Sequence, residues 1–168
     1  MTKSLIINTL IIALVVLLQS TLLQHISFYG ILPDLVLIFV LFISLKGGSI
    51  KGEVIGFSGG LLLDFLSLSP LGFHCFIYAV IGFLAGYPHR NVTTESILTQ
   101  FLFVTLGIII KNILSSLLIL VFSINTTSLS LMGRNFFIEL LFTLIVTPFL
   151  FTFANKLYDL THRKRMGL

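Results

Sequence analysis

At 168 residues and a formal net charge of +4, the chain is 57% hydrophobic and only 10% charged. A soluble domain carries about 25% charged residues, so too few are present here to solvate a globular surface. With a mean hydropathy of +1.12, apolar runs fill most of the length, which excludes a soluble domain and points to a multi-spanning membrane protein.

Six spans are predicted. The first, about Leu5 to Gln24, follows Lys3 like a signal sequence, but Gln19, Ser20 and Thr21 stand where a small-residue cleavage site belongs, so it reads as a retained span. Its Asn8 and Gln19 lie eleven residues apart, close to three helical turns, and share a face suited to hydrogen bonding between helices. His25 to Leu32 is a short connection in which His25 reads as an interfacial side chain, because no second metal ligand stands at helical spacing.

The second span opens at Pro33-Asp34 and runs to about Leu45. Proline suits a first helical turn, and a carboxylate beside it meets the positive end of the helix dipole. Lys46 to Lys51 turn the chain back. The third span, about Gly52 to Phe65, carries Gly52, Gly56, Gly60 and Asp64 at four-residue spacing, with Gly59 beside that stripe. Each glycine costs about 1 kcal/mol relative to alanine in a water-exposed helix. In a bilayer the backbone must satisfy its own hydrogen bonds, so the helix holds and the bare stripe admits another helix closely.

A turn at Ser67 to Pro70 leads to the fourth span, about Leu71 to Tyr87. There Tyr78, Gly82 and Gly86 form a second stripe, and His74 stands one turn before Tyr78. After a polar loop at Pro88 to Glu95 the fifth span, Ser96 to Phe122, is overlong for a ~30 Å hydrocarbon core and buries Lys111 and Asn112. A polar connection from Ile124 to Arg134 precedes the sixth span, about Asn135 to Tyr158. That span carries Glu139, Thr143 and Thr147 near one face and a Pro148 expected to kink it. Glycosylation triplets at Asn91 and Asn125 carry no weight.

The basic residues orient the chain. With the N-terminus inside, Lys3, Lys46, Lys51, Arg90, Lys156, Arg163, Lys164 and Arg165 face the cytoplasm and only Arg134 faces out. This excess predicts an N-in, C-in protein. The one cysteine, Cys75, permits no internal disulfide.

Segments outside the spans are too short to form a domain, and no phosphate loop, metal motif or cofactor motif is present. Gly56-Phe57-Ser58-Gly59-Gly60 spells the Gly-x-Ser-x-Gly of serine hydrolases, but that motif needs a strand-to-helix elbow. As an intramembrane protease, Ser58 would need His74, which is expected near the opposite end of the bundle. Ionisable residues inside spans are more informative, because a charge there costs at least ~2.5 kcal/mol. Asp64 lies ~18 Å beyond Gly52 and Lys111 ~22 Å beyond Ser96 at 1.5 Å per residue. The similar depths suggest an Asp64–Lys111 pair, with His74 a rival for Asp64 and Glu139 a rival for Lys111; the alternative is a lysine that snorkels to an interface and an aspartate that lines a wet crevice.

Pro33-Asp34-Leu35, then Gly59-Gly60-Leu61-Leu62-Leu63-Asp64 followed by Ser69-Pro70-Leu71-Gly72, then Gly82 and Gly86, together resemble the MreD family of the bacterial rod-shape system. The resemblance implies a non-enzymatic scaffold of the bacterial inner membrane that needs no cofactor and helps organise peptidoglycan synthesis. Its implied partner is an MreC-like protein with one span. Through that partner come actin-like MreB, a SEDS glycosyltransferase and a penicillin-binding transpeptidase. The family's architecture is also similar to the six-span substrate-binding subunits of energy-coupling-factor transporters. Pro33, Asp34, Gly56, Gly60, Asp64, Pro70 and Gly72 carry the motif; the glycine stripes read as close packing within the chain or, in the scaffold reading, as a face that accepts the partner's span. A second reading is a small-molecule transport subunit with Asp64, His74, Tyr78 and Lys111 lining a site. A third is a proton relay through Asp64 and Glu139.

Overall fold

The computed structural model describes residues 2–21, 32–67, 69–89, 92, 94, 96–122 and 134–163. Expectations for His25, Arg90, Asn91, Asn125, Lys164 and Arg165 lie outside those residues. Among the described residues the chain forms six α-helices and no strand: α1 (Thr2–Thr21), α2 (Leu35–Gly47), α3 (Ser49–Leu66), α4 (Phe73–Ala85), α5 (Ile97–Phe122) and α6 (Arg134–Arg163).

The middle of the bundle is α2. It is apolar on every side, and a helix of that kind must be enclosed by others. Every residue from Val36 through Leu45 is buried, and α2 packs on all five other helices. The glycine-bearing α3, which dominates the sequence pattern, is therefore a flank of the bundle and not its axis. Its most extensive partner is α4, across the short turn at Ser67 to Gly72. The last two helices pack on one another and close over α2 and α4.

Around the apolar centre, the outer helices turn polar side chains inward and large apolar ones outward. In α1, Asn8, Ile12 and Val16 face inward at four-residue spacing while Leu10, Leu14 and Leu17 are exposed. In α6, Thr143 and Thr147 are fully buried while Ile145 and Phe149 are exposed. In α5, Gln100 is buried while Leu98 and Leu102 face out. Polar groups turned inward under an apolar surface are what hydrocarbon solvent selects, because an unsatisfied polar group there has no water to meet. Helix α5, and Phe136–Tyr158 of α6, are long and apolar enough to cross a bilayer, while α1, α2 and α4 contain shorter apolar stretches. Helix α6 continues through Pro148, whose missing N–H leaves the Leu144 carbonyl without its helical donor.

Candidate functional site

Four other helices converge on the start of α2. Asp34 caps that helix, its Oδ1 accepting the Leu37 N–H at 2.9 Å. Its Oδ2 accepts the Tyr78 hydroxyl from α4 at 2.7 Å and the Lys111 ammonium from α5 at 2.7 Å. Lys111 also donates to Glu139 of α6. One turn on, the Thr143 hydroxyl accepts the Asp34 N–H at 3.3 Å, and Gln19 of α1 accepts the Val36 N–H at 3.1 Å. The carboxylate of Asp34 and the ammonium of Lys111 are largely buried, so each charge is stabilised chiefly by its partners. Asp34 is thus both a helix cap and one member of an ion cluster.

The second carboxylate, Asp64, has a different task. It stands in the last turn of α3 and accepts the backbone N–H groups of Gly72 and His74 at 2.9 Å and of Cys75 at 3.1 Å. The first N–H groups of any helix lack partners within it, so a neighbouring carboxylate that takes three of them caps α4 from outside. Gly72 turns the chain into α4 at φ +95, a left-handed conformation that favours glycine. The His74 Nδ1 also bonds Asp64, at 2.9 Å. The two clusters touch because the His74 and Tyr78 rings stack at 6.2 Å.

The Asp64–Lys111 pair expected from depth does not form. Asp64 takes His74 and the start of α4, while Lys111 takes Asp34 and Glu139. Equal depth places two groups at one height in a bundle but says nothing about which side of it each occupies. Helix α3 packs chiefly on α4, α2 and α1, away from α5.

The glycine face of α3 is also filled, by close packing within the chain and not left open to a partner's span. A Cβ at Gly56 would overlap the Tyr78 carbonyl, and one at Gly60 would come within 2.6 Å of the Cys75 Cα. Gly52 and Gly82 face one another's backbones, and Gly86 sits on the Gly48–Ser49 backbone. Two helices without side chains between them approach to backbone contact, which is the use of small residues in membrane packing. Gly59 instead meets Ile12 of α1 and Val36 of α2.

Ser58 donates to the Val54 carbonyl at 2.7 Å and His74 is engaged by Asp64, so no Ser58–His74 pair forms. Among the described residues no three His, Cys, Asp or Glu side chains converge as a metal site would require. Two larger clefts are apolar. One of about 610 Å³ is lined by Pro70, Gly72, Phe73, Phe76, Leu118 and Phe122, among others; one of about 310 Å³ lies between α1 and α6 over α2. Asp64, His74, Tyr78 and Lys111 line neither of them. Pro33 is buried at the entry to α2, and Pro70 is exposed at the rim of the larger cleft.

The sequence pattern overlooked the Tyr78 hydroxyl as a partner of Asp34. The available signal was its place one turn after His74, on the face that α4 turns to α2 and α3. The family model for rod shape-determining protein MreD matches residues 2–157, nearly the whole chain. The chain belongs to the MreD family. No curated protein and no solved structure matches it. MreD is a membrane protein of the cell-shape system, and the apolar surface with polar side chains turned inward accords with that setting. Within this MreD chain the motif acids, Asp34 and Asp64, each cap the start of a helix: Asp34 its own, α2, and Asp64 the next, α4.

Proposed function

We propose that this MreD chain is a non-enzymatic scaffold for rod-shape determination, built of six spans with both termini in the cytoplasm. It holds an MreC-like single-span partner in the bacterial inner membrane and so helps to organise peptidoglycan synthesis. Actin-like MreB, a SEDS glycosyltransferase and a penicillin-binding transpeptidase join through that partner. The observation that carries the reading is the family match together with an interior whose charged groups are spent on one another. A site for a polar substrate needs convergent polar groups facing an open cavity; here those groups are closed on themselves and the clefts are apolar. An architecture like that of energy-coupling-factor subunits, as the family resemblance implies, would not by itself carry their function.

With the glycine face occupied by α4, the partner's span docks elsewhere in this reading. The larger cleft is favoured because it is apolar and includes the motif residues Pro70 and Gly72. In the proposed orientation it opens at the outer end of the bundle. Photo-crosslinking groups at Leu71 and Phe76, both exposed, should capture the MreC-like protein in growing cells. Controls at Ile145 and Phe149, exposed on α6, should not. Equal capture from both sets, or none, refutes this docking site.

A further inference from the structure

Helices α1 and α6 each pack on α2 but not appreciably on one another. Between them runs a crevice of about 310 Å³ with a floor of Ile38, Phe39 and Phe42 and an almost wholly apolar lining. We infer that this crevice holds one acyl chain of an anionic phospholipid whose head group meets Lys46.

Its dimensions suit a lipid tail. The lining on α1 runs from Ile11 to Leu18, and that on α6 from Leu150 to Leu157, each seven residues or ~10 Å. Spread over that length, 310 Å³ leaves a section of roughly 30 Å². A hydrocarbon chain fits that section along the floor of Ile38, Phe39 and Phe42. From Leu35 at the far end to Lys46 is eleven residues, ~16 Å, about half of a ~30 Å core and hence one leaflet deep.

Charge supplies the second argument. Lys46 lies one turn beyond Phe42 on the face of the floor, and its ammonium stands 5.7 Å from the centre of the Tyr158 ring. Tyr158 follows Leu157 of the crevice wall, so a held cation marks that end. A cation at the membrane surface favours an anionic head group over a zwitterionic one.

The inference rests on the chain spanning the bilayer, which accessibility labelling of introduced cysteines tests separately, and it does not need the protein partner. The full chain is reconstituted in vesicles of equal phosphatidylglycerol and phosphatidylethanolamine, either lipid carrying a photoactivatable acyl chain. Labelling by phosphatidylglycerol should concentrate on peptides bearing Leu14 and Phe153, saturate at one lipid per chain, and exceed labelling by phosphatidylethanolamine. Lys46→Gln should weaken the phosphatidylglycerol signal about fivefold. Leu14→Trp, at the exposed rim, should close the crevice and abolish labelling at Phe153 without disturbing the core. Equal labelling by the two lipids, labelling spread evenly over the exposed face of α5, or a protein crosslinked at Leu14 in cells in place of lipid overturns the inference.

Discussion

Lys111→Met removes the one cation that Asp34 and Glu139 share, and the cost follows from the geometry. The ammonium lies 2.7 Å from Asp34 and also bonds Glu139, and methionine fills a similar volume with no charge. Asp34 keeps the Leu37 N–H and the Tyr78 hydroxyl, but two carboxylates then face each other with nothing between them. Breaking a buried pair by removing one partner costs about 3–5 kcal/mol. The alternative, protonating an ordinary aspartate at pH 7, costs about 4 kcal/mol. Both routes give the same magnitude, about 4 kcal/mol. The assay is unfolding of the purified chain in mixed micelles, followed by helix content. Asp34→Asn, Lys111→Met and Glu139→Gln combined should recover most of the loss, because replacing a whole buried cluster by neutral groups is often neutral. Asp64→Asn should couple only weakly to Lys111→Met, since the two share no partner and meet only through the His74–Tyr78 stack. A Lys111→Met chain within about 1 kcal/mol of the parent, against the 3–5 expected, would refute the reasoning, as would a triple variant no better than the single.

The helix pairs give further expectations. Gly56→Ala should loosen α3 from α4 by more than the 1–3 kcal/mol typical of overpacking, because the added carbon meets backbone. Gly59→Ala should cost less, since it meets the far end of the Ile12 side chain; their ranking by thermal unfolding in detergent checks this. Tyr78→Phe should cost about 1.5–3 kcal/mol, the range for a hydrogen bond to a charged group, and should lose most of that cost when Asp34→Asn is already present. Asp64→Ala strips three N–H groups of their acceptor, so α4 should fray first. Faster amide exchange confined to 72–76 is the readout, and unchanged exchange there counts against the capping role.

Much of the fold is legible because hydropathy marks where helices lie, and the six helices fall on the six apolar segments. What pattern does not supply is azimuth. Gly52, Gly56 and Gly60 announce close approach, but only the short turn at Ser67 to Gly72 hints that α4, next in the chain, fills the face. Asp34 and Lys111 are 77 residues apart, and no periodicity within one helix reports contact across that separation. The central place of α2 is legible in hindsight from its apolar character on all sides, a property that a hydropathy scan shares among most spans and so cannot rank.

The convergence at the start of α2 also sets an order of assembly. Asp34 leaves the ribosome 77 residues before Lys111, which at 5–20 residues per second is roughly 4–15 s. Until then the acid sits in a nascent bundle with no counter-ion, and Glu139 arrives later still. A chain halted before α5 therefore keeps Asp34 without its cation, an uncompensated buried charge that separates a truncated product from one that has reached Lys111.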